Sequence, residues 1–197
     1  MKSQRIRILS FLTGAMITLL GTVPASHAAL ISNFTDLRTE LSDRLGVLSN
    51  SVDKTEQKLA KACTKGIVII DKSLTLAGDI KASAKLAKLL QKTFPDEFAP
   101  TIVGGLVFSN NVRTLLVNGY FSIADQLDII LQDLQLSIDS LPESKDRDQA
   151  QAALNDAANA LEAAFGDTTW SEASKLLGAC LKSAAKAQKI IDKIELN

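Results

Sequence analysis

The sequence predicts an all-α protein: a signal peptide over residues 1–28, followed by a single-domain helical bundle of about five to six helices over residues 29–197. Apolar residues recur at alternating steps of three and four, which is the period of a helix and not of a strand. Aromatic residues make up only 5% of the chain, which suits close packing of helices through small side chains. Capping residues, prolines and glycines separate the periodic segments.

The first 28 residues have the layout of a secretory signal peptide. The basic start contains Lys2, Arg5 and Arg7. An apolar run over 8–23 follows, and small residues precede a cleavage site after Ala28. The run is 16 residues long, whereas a bilayer span needs roughly 20, and this disfavours an uncleaved membrane anchor. We therefore predict an exported protein, either in a bacterial periplasm or secreted.

Cleavage after Ala28 leaves 169 residues with a net charge of −3 and no histidine, because His27 is the only one. Catalytic triads, Cys-His pairs and HExxH zinc sites all need an imidazole. The near-balanced charge also disfavours a nucleic-acid binder, which needs a basic excess. We expect a protein that is not an enzyme and uses no cofactor.

The N-terminal half of the mature chain, residues 33–92, is predicted to be helical throughout. Asn33, with Asp36 three positions later, is the expected N-cap. The region is expected to form one kinked helix, or two helices that break near 49–51 or 64–66. Its apolar stripe consists of Leu41, Leu45, Leu48, Val52, Thr55, Leu59 and Ala62, and continues through Gly66, Ile69, Ser73, Leu76 and Ile80.

The central region is predicted to contain a loop and apolar helices. Residues 93–100 contain two prolines and are predicted to form the loop. A buried helix, or a pair of short ones, is expected over 101–117, and Asn118-Gly119 is expected to form a turn. Ser122 and Asp125 then resemble a capping box that opens a new helix before Pro142. This helix has a coiled-coil seam at Ala124, Leu127, Leu131, Leu134, Ile138 and Leu141.

The C-terminal region is predicted to be an Ala-rich helical hairpin. Its first helix covers 147–165 and is followed by Gly166, a residue type typical of helix C-termini. Thr169 and Glu172 form a capping box for the last helix, which is expected to end near Ile194. Small side chains in both helices allow close approach.

The two cysteines, Cys63 and Cys180, are predicted to form a structural disulfide, because an exported protein with an even cysteine count usually oxidises them. Such a bond would tie the first helical region to the last helix. Two separate buried thiols are the alternative. A catalytic redox pair is disfavoured because the chain lacks C-x-x-C.

Charge is unevenly distributed along the chain. Residues 29–92 carry +4, residues 93–170 carry −9 and residues 171–197 carry +2. This asymmetry allows docking of oppositely charged regions either within one molecule or between molecules. The basic region contains a stripe of lysines along one helix, which would suit an anionic surface such as a membrane. This stripe is Lys81, Lys85, Lys88 and Lys92.

The acidic region contains a set of carboxylates that we interpret as a solvated face and not as a metal or catalytic site. These carboxylates are Asp125, Asp128, Asp133, Asp139 and Glu143.

Five aromatic residues cluster between positions 94 and 121. With the apolar residues between them, they would form either a pocket for a hydrophobic ligand or part of the core. These residues are Phe94, Phe98, Phe108, Tyr120 and Phe121.

Together these features predict an exported, non-enzymatic helical bundle that acts through protein–protein interaction, including self-association, or as a structural element. The alternative is a carrier or sensor of a hydrophobic small ligand that uses residues 94–121. Contact with a membrane surface through the lysine stripe is a further possibility.

Overall fold

The computed structural model describes residues 32–98 and 112–195, and the predicted signal peptide therefore lies outside the described residues. The described part is all-α, with seven helices and no strand. The helices are α1 (Thr35–Leu48), α2 (Lys54–Asp71), α3 (Leu76–Thr93), α4 (Pro95–Phe98), α5 (Val112–Ser140), α6 (Lys145–Ala164) and α7 (Trp170–Glu195).

The N-terminal half contains three helices where one or two were predicted. The break near 49–51 is confirmed, since α1 ends at Leu48 and α2 begins at Lys54. The alternative break near 64–66 is wrong. Gly66 lies inside α2, and a Cβ there would come within 2.6 Å of a Leu41 methyl, so glycine allows α1 and α2 to approach closely. The second break falls after Asp71 instead, and the Thr75 side chain caps α3 by accepting from the Gly78 N–H.

The start of α1 differs from the prediction. Phe34 occupies the N-cap position and makes no side-chain cap. Asn33 is engaged elsewhere: its backbone and side-chain amides both donate to the Asp79 carboxylate. Asn33, which local spacing predicts to cap α1, therefore makes a tertiary contact instead.

The predicted loop 93–100 contains the one-turn helix α4. Glu97 fixes this turn, because its carboxylate pairs with Arg44 of α1 and accepts from the Val112 N–H at the first turn of α5 at 2.7 Å. The Arg44 guanidinium also lies over the Phe94 ring, 4.9 Å from the ring centre. One carboxylate thus joins three helices.

The turn predicted at Asn118-Gly119 and the capping box predicted at Ser122 are both wrong, because α5 runs unbroken through them. A Cβ on Gly119 would overlap the Phe34 ring. Glycine is thus present to let α5 pass close to Phe34, and it does not end a helix. Residues 101–111 of the predicted preceding helix lie outside the described residues.

The rest of α5 and the C-terminal hairpin agree with the prediction. Within the predicted seam all residues except Ala124 are buried, and α5 ends at Ser140 before Pro142. The capping box at the start of α7 is confirmed, with the Thr169 N–H donating to Glu172 at 2.9 Å and the Glu172 N–H donating back to the Thr169 hydroxyl at 3.3 Å. Helices α6 and α7 form the most extensively packed pair in the described chain. Their buried alanines are Ala150, Ala153, Ala157, Ala164, Ala173, Ala184 and Ala187.

Candidate interaction site

A groove of about 340 Å³ runs between α3 and α7, two helices that pack directly against each other. Small side chains leave this space open, because Ala77, Ala84 and Gly178 fill little of the gap between the helices. Lys81 on α3 and Lys175 on α7 are among its lining residues. The full lining is Ala77, Ile80, Lys81, Ala84, Ser171, Ser174, Lys175, Gly178 and Leu181.

A buried cluster of hydroxyl groups lies beneath the groove. Ser174, which lines the groove, shares hydrogen bonds with the Tyr120 hydroxyl at 2.6 Å and with the Ser83 hydroxyl at 2.8 Å. Backbone carbonyls of Trp170 and Ile80 accept further bonds from the same hydroxyls. Burial raises the pKa of Tyr120, so this cluster is uncharged at neutral pH.

All four residues of the lysine stripe are exposed on α3, as the helical spacing requires. None of them forms an ion pair or a hydrogen bond with another residue of the described chain. On α7 a second lysine set borders a shallow cavity of about 530 Å³. This second set is Lys182, Lys186 and Lys189. The α3 and α7 lysines together give this part of the surface a positive charge.

The outer face of α5 has the opposite charge. Asp125, Asp128 and Asp139 are exposed, whereas Asp133 is half-buried, and Glu143 lies exposed after the helix. Among the described residues, the carboxylates of Asp128 and Asp139 accept hydrogen bonds only from glutamine amides one turn away. The sequence left docking of the basic and acidic regions within one molecule as one of two possibilities. The Arg44–Glu97 and Lys193–Asp146 pairs join these regions within one molecule, whereas no ion pair within the described residues joins the α3 stripe to α5.

The predicted aromatic group is distributed over separate contacts. Phe98 and Tyr120 both pack on Trp170, with ring centres 6.3 and 5.1 Å apart, whereas Phe94 is buried under Arg44. Phe121 faces outward and stacks on Phe165. Phe108 lies outside the described residues.

The predicted disulfide between Cys63 and Cys180 is not present, and both cysteines are buried free thiols. The reason lies in the packing: Cys63 is on α2, which packs on α1 and α3, whereas Cys180 is on α7, which packs on α3, α5 and α6. Burial raises the pKa of both thiols, that of Cys180 to about 11, so both stay protonated at neutral pH. The sequence alternative of two separate buried thiols describes the structure.

A second polar cluster was missed by sequence reasoning. Asp79 is 3% exposed, and its carboxylate accepts four hydrogen bonds. The donors are the hydroxyls of Ser32 and Ser73 together with the two amides of Asn33. Only the single acidic residue on the buried face of α3 could have signalled it, and the partners come from remote positions.

A polar cavity of about 490 Å³ adjoins this cluster. Its lining includes Asn33, whose side-chain oxygen accepts from Ser122 at 2.6 Å and from Gln126 at 2.7 Å. Asn33 therefore bridges Asp79 on α3 and two polar residues on α5. These contacts fix the segment before α1 against the bundle.

Two kinds of feature are absent from the described residues, a metal-binding cluster and a membrane-spanning helix. No group of three or more histidine, cysteine or acidic side chains there is placed to hold a metal ion. No described helix is long and apolar enough to span a membrane. Comparisons of the chain with protein-family models, with curated proteins and with solved structures found no match.

Proposed function

We propose that the protein is an exported, non-enzymatic helical bundle that acts through protein–protein contact, and that its partner binds in the groove between α3 and α7. The observation that carries this proposal is an apolar groove bordered by Lys81 and Lys175, next to a stripe of lysines without acidic partners in the described chain. A groove between two helices is a common docking place for a third helix.

The chemistry of the groove defines the partner. Ala77, Ala84 and Gly178 leave room for apolar side chains, and the lysines on both sides favour carboxylates. An amphipathic helix with apolar and acidic residues on one face meets both requirements. Electrostatic complementarity of this kind sets register and accelerates association.

A protein partner fits this surface better than a membrane does. Helices that bind a membrane surface combine basic residues with large apolar or aromatic side chains that enter the lipid. No exposed large apolar residue of the described chain lies on α3 or α7. The exposed lysines alone would give only a salt-sensitive attraction to anionic lipid.

Site-specific photo-crosslinking in the cells that produce the protein tests the proposal. A photoreactive amino acid in place of Ala84, in the groove, should give a covalent adduct with a protein. The same amino acid in place of the exposed Lys58 on α2 is the matched control and should give none. Absence of an adduct at position 84 would contradict the proposal, and an adduct with a small molecule would favour the hydrophobic-ligand alternative instead.

Export is tested independently by the mass of the protein recovered from those cells. We expect a chain that begins at Ala29. An intact chain of 21.1 kDa in the cytosolic fraction would contradict this part of the proposal.

A further inference from the structure

We infer that the partner bound in the groove between α3 and α7 is a second copy of this chain, which contributes the outer face of α5. This inference rests on the proposed function and specifies its partner. It follows from the apolar residues, the length and the charge of the α5 face.

The outer face of α5 combines exposed apolar and acidic residues. Phe121, Ile129 and Leu136 have 53%, 58% and 65% of their surface exposed, respectively. Single exposed apolar residues are common, but three on one helical face form a surface that favours contact with another chain. The outward positions recur at steps of three and four, the spacing of a helix that docks in a groove. They are Phe121, Asp125, Ile129, Gln132, Leu136 and Asp139.

The groove matches one part of the α5 face in length, the part from Ile129 to Leu136. Ala77 and Ala84, which line the groove on α3, are seven residues apart, as are Ile129 and Leu136 on α5. Each pair therefore spans about 10 Å along its helix. Because alanine and Gly178 line the groove, the branched side chains of α5 have space to enter it.

The two surfaces also have opposite charge. Lys81 and Lys175 border the groove, and Asp125 and Asp128 flank Ile129 on the α5 face. None of these four side chains forms an ion pair with another residue of the described chain. Contact between two copies would bring the lysines of one to the carboxylates of the other.

Both surfaces are exposed, and none of the described residues of the same chain covers the groove. The contact therefore joins two different patches on two copies. Such a contact gives a closed dimer where both grooves are filled reciprocally, and otherwise a ring or an extending chain.

Charge exchange tests the inference by sedimentation velocity over a range of protein concentrations. The native chain should self-associate. The double variants D125K/D128K and K81E/K175E should each associate at least tenfold more weakly. An equimolar mixture of the two should recover association, because the reversed α5 face of one meets the reversed groove of the other.

Matched controls separate this contact from general charge attraction. The variants K58E/K61E on α2 and D156K/E162K on α6 make the same charge changes at exposed residues. Each control should keep native self-association. Loss of association in the controls equal to that in the test pair would overturn the inference.

The apolar contact between the groove and the α5 face is tested by Gly178→Leu, which fills the groove. A Cβ at this position lies 3.8 Å from Ile80, an ordinary contact, so the monomer accepts the first carbon of a side chain here. We expect unchanged circular dichroism and lost association. The exposed Ile129→Gln should weaken association in the same way, and native-like association in both variants would overturn the inference.

The crosslink at position 84 distinguishes this inference from the proposed function. An adduct with twice the mass of the chain that contains only peptides of this chain supports both the second-copy inference and the proposed function. An adduct with a different protein, or a native chain that stays monomeric at every concentration, overturns the second-copy inference and leaves the proposed function standing.

Discussion

Two polar clusters one helical turn apart on α3 connect it to the rest of the bundle by different means. Asp79 connects α3 to the segment before α1 through a buried carboxyl group that accepts four hydrogen bonds. Ser83 connects α3 to α7 through neutral hydroxyls. The first region is tightly packed, with Gly119 against Phe34, whereas the second borders an open groove.

This difference predicts how well the Asp79 region and the Ser83 region tolerate substitutions. A buried carboxylate is stable only while its hydrogen-bond donors remain, because each unsatisfied buried polar group costs free energy. The hydroxyls of the Ser83 cluster have alternative acceptors, since the Ile80 carbonyl lies within hydrogen-bond distance of Ser83 and the Trp170 carbonyl within that of Tyr120. We therefore expect the Asp79 region to determine the stability of the fold and the Ser83 region to permit variation near the groove.

The largest expected effect is that of Asp79→Ala. This change leaves the Ser32 and Asn33 donors without their acceptor, whereas Ser73 keeps the Ile70 carbonyl, and it should lower the free energy of unfolding by about 3 kcal/mol. Urea denaturation measures it. Asp79→Asn, which keeps one acceptor oxygen in the same volume, should lose less, and an Asp79→Asn variant as stable as the native chain would show that the carboxylate acts only by filling space.

The two glycines give the next comparison. Gly119→Ala places a methyl group against the Phe34 ring and should cost about 2 kcal/mol through overpacking. Gly178→Ala has room and should raise stability by up to ~1 kcal/mol, because alanine favours the helix. Thermal denaturation of both variants checks the opposite signs. Destabilisation by both would mean that the α3–α7 region is as tightly packed as the Gly119 region.

A smaller effect is expected in the hydroxyl cluster. Ser174→Ala removes the bonds to Ser83 and Tyr120, but both keep a carbonyl acceptor, so the loss should be about 1 kcal/mol. Urea denaturation measures this loss beside that of Asp79→Ala. A loss as large as that of Asp79→Ala would remove the distinction between the two clusters.

The effect that is smallest at neutral pH develops only in alkali and involves Cys180 on α7. Burial raises the pKa of Cys180 from its ordinary value of 9.0 to about 11. Between these pH values the unfolded thiol ionises while the folded thiol keeps its proton, so the free energy of unfolding falls as pH rises through this window. Chemical denaturation from pH 8 to 11 should show a shallower fall for Cys180→Ala than for the native chain. Identical slopes would contradict the burial of this thiol.

The regions that sequence patterns predicted well are those in which neighbouring residues along the chain determine the structure. The seam of α5, the Thr169–Glu172 capping box and the Ala-rich hairpin depend on contacts at steps of three and four. The lysine stripe is likewise exposed as its spacing indicated.

The features that sequence patterns missed depend on contacts between distant residues. Local sequence predicts a helix end at Gly119, but its contact with Phe34 explains the glycine. Local sequence likewise predicts a cap at Asn33, but its hydrogen bond to Asp79 explains the asparagine. The disulfide prediction failed for the same reason, because cysteine count does not report which helices pack together. The groove could not be anticipated, since it requires small residues from two helices far apart in the sequence.

The packing around Trp170 provides an intrinsic spectroscopic reporter. It is the only tryptophan in the chain, and its ring lies 5.1 Å from that of Tyr120, the only tyrosine. Its backbone carbonyl accepts from the hydroxyl of Tyr120 and from that of Ser174, a residue of the groove lining. Fluorescence emission and tyrosine-to-tryptophan energy transfer therefore come from one junction of α4, α5 and α7, so label-free titrations can follow occupancy beside it.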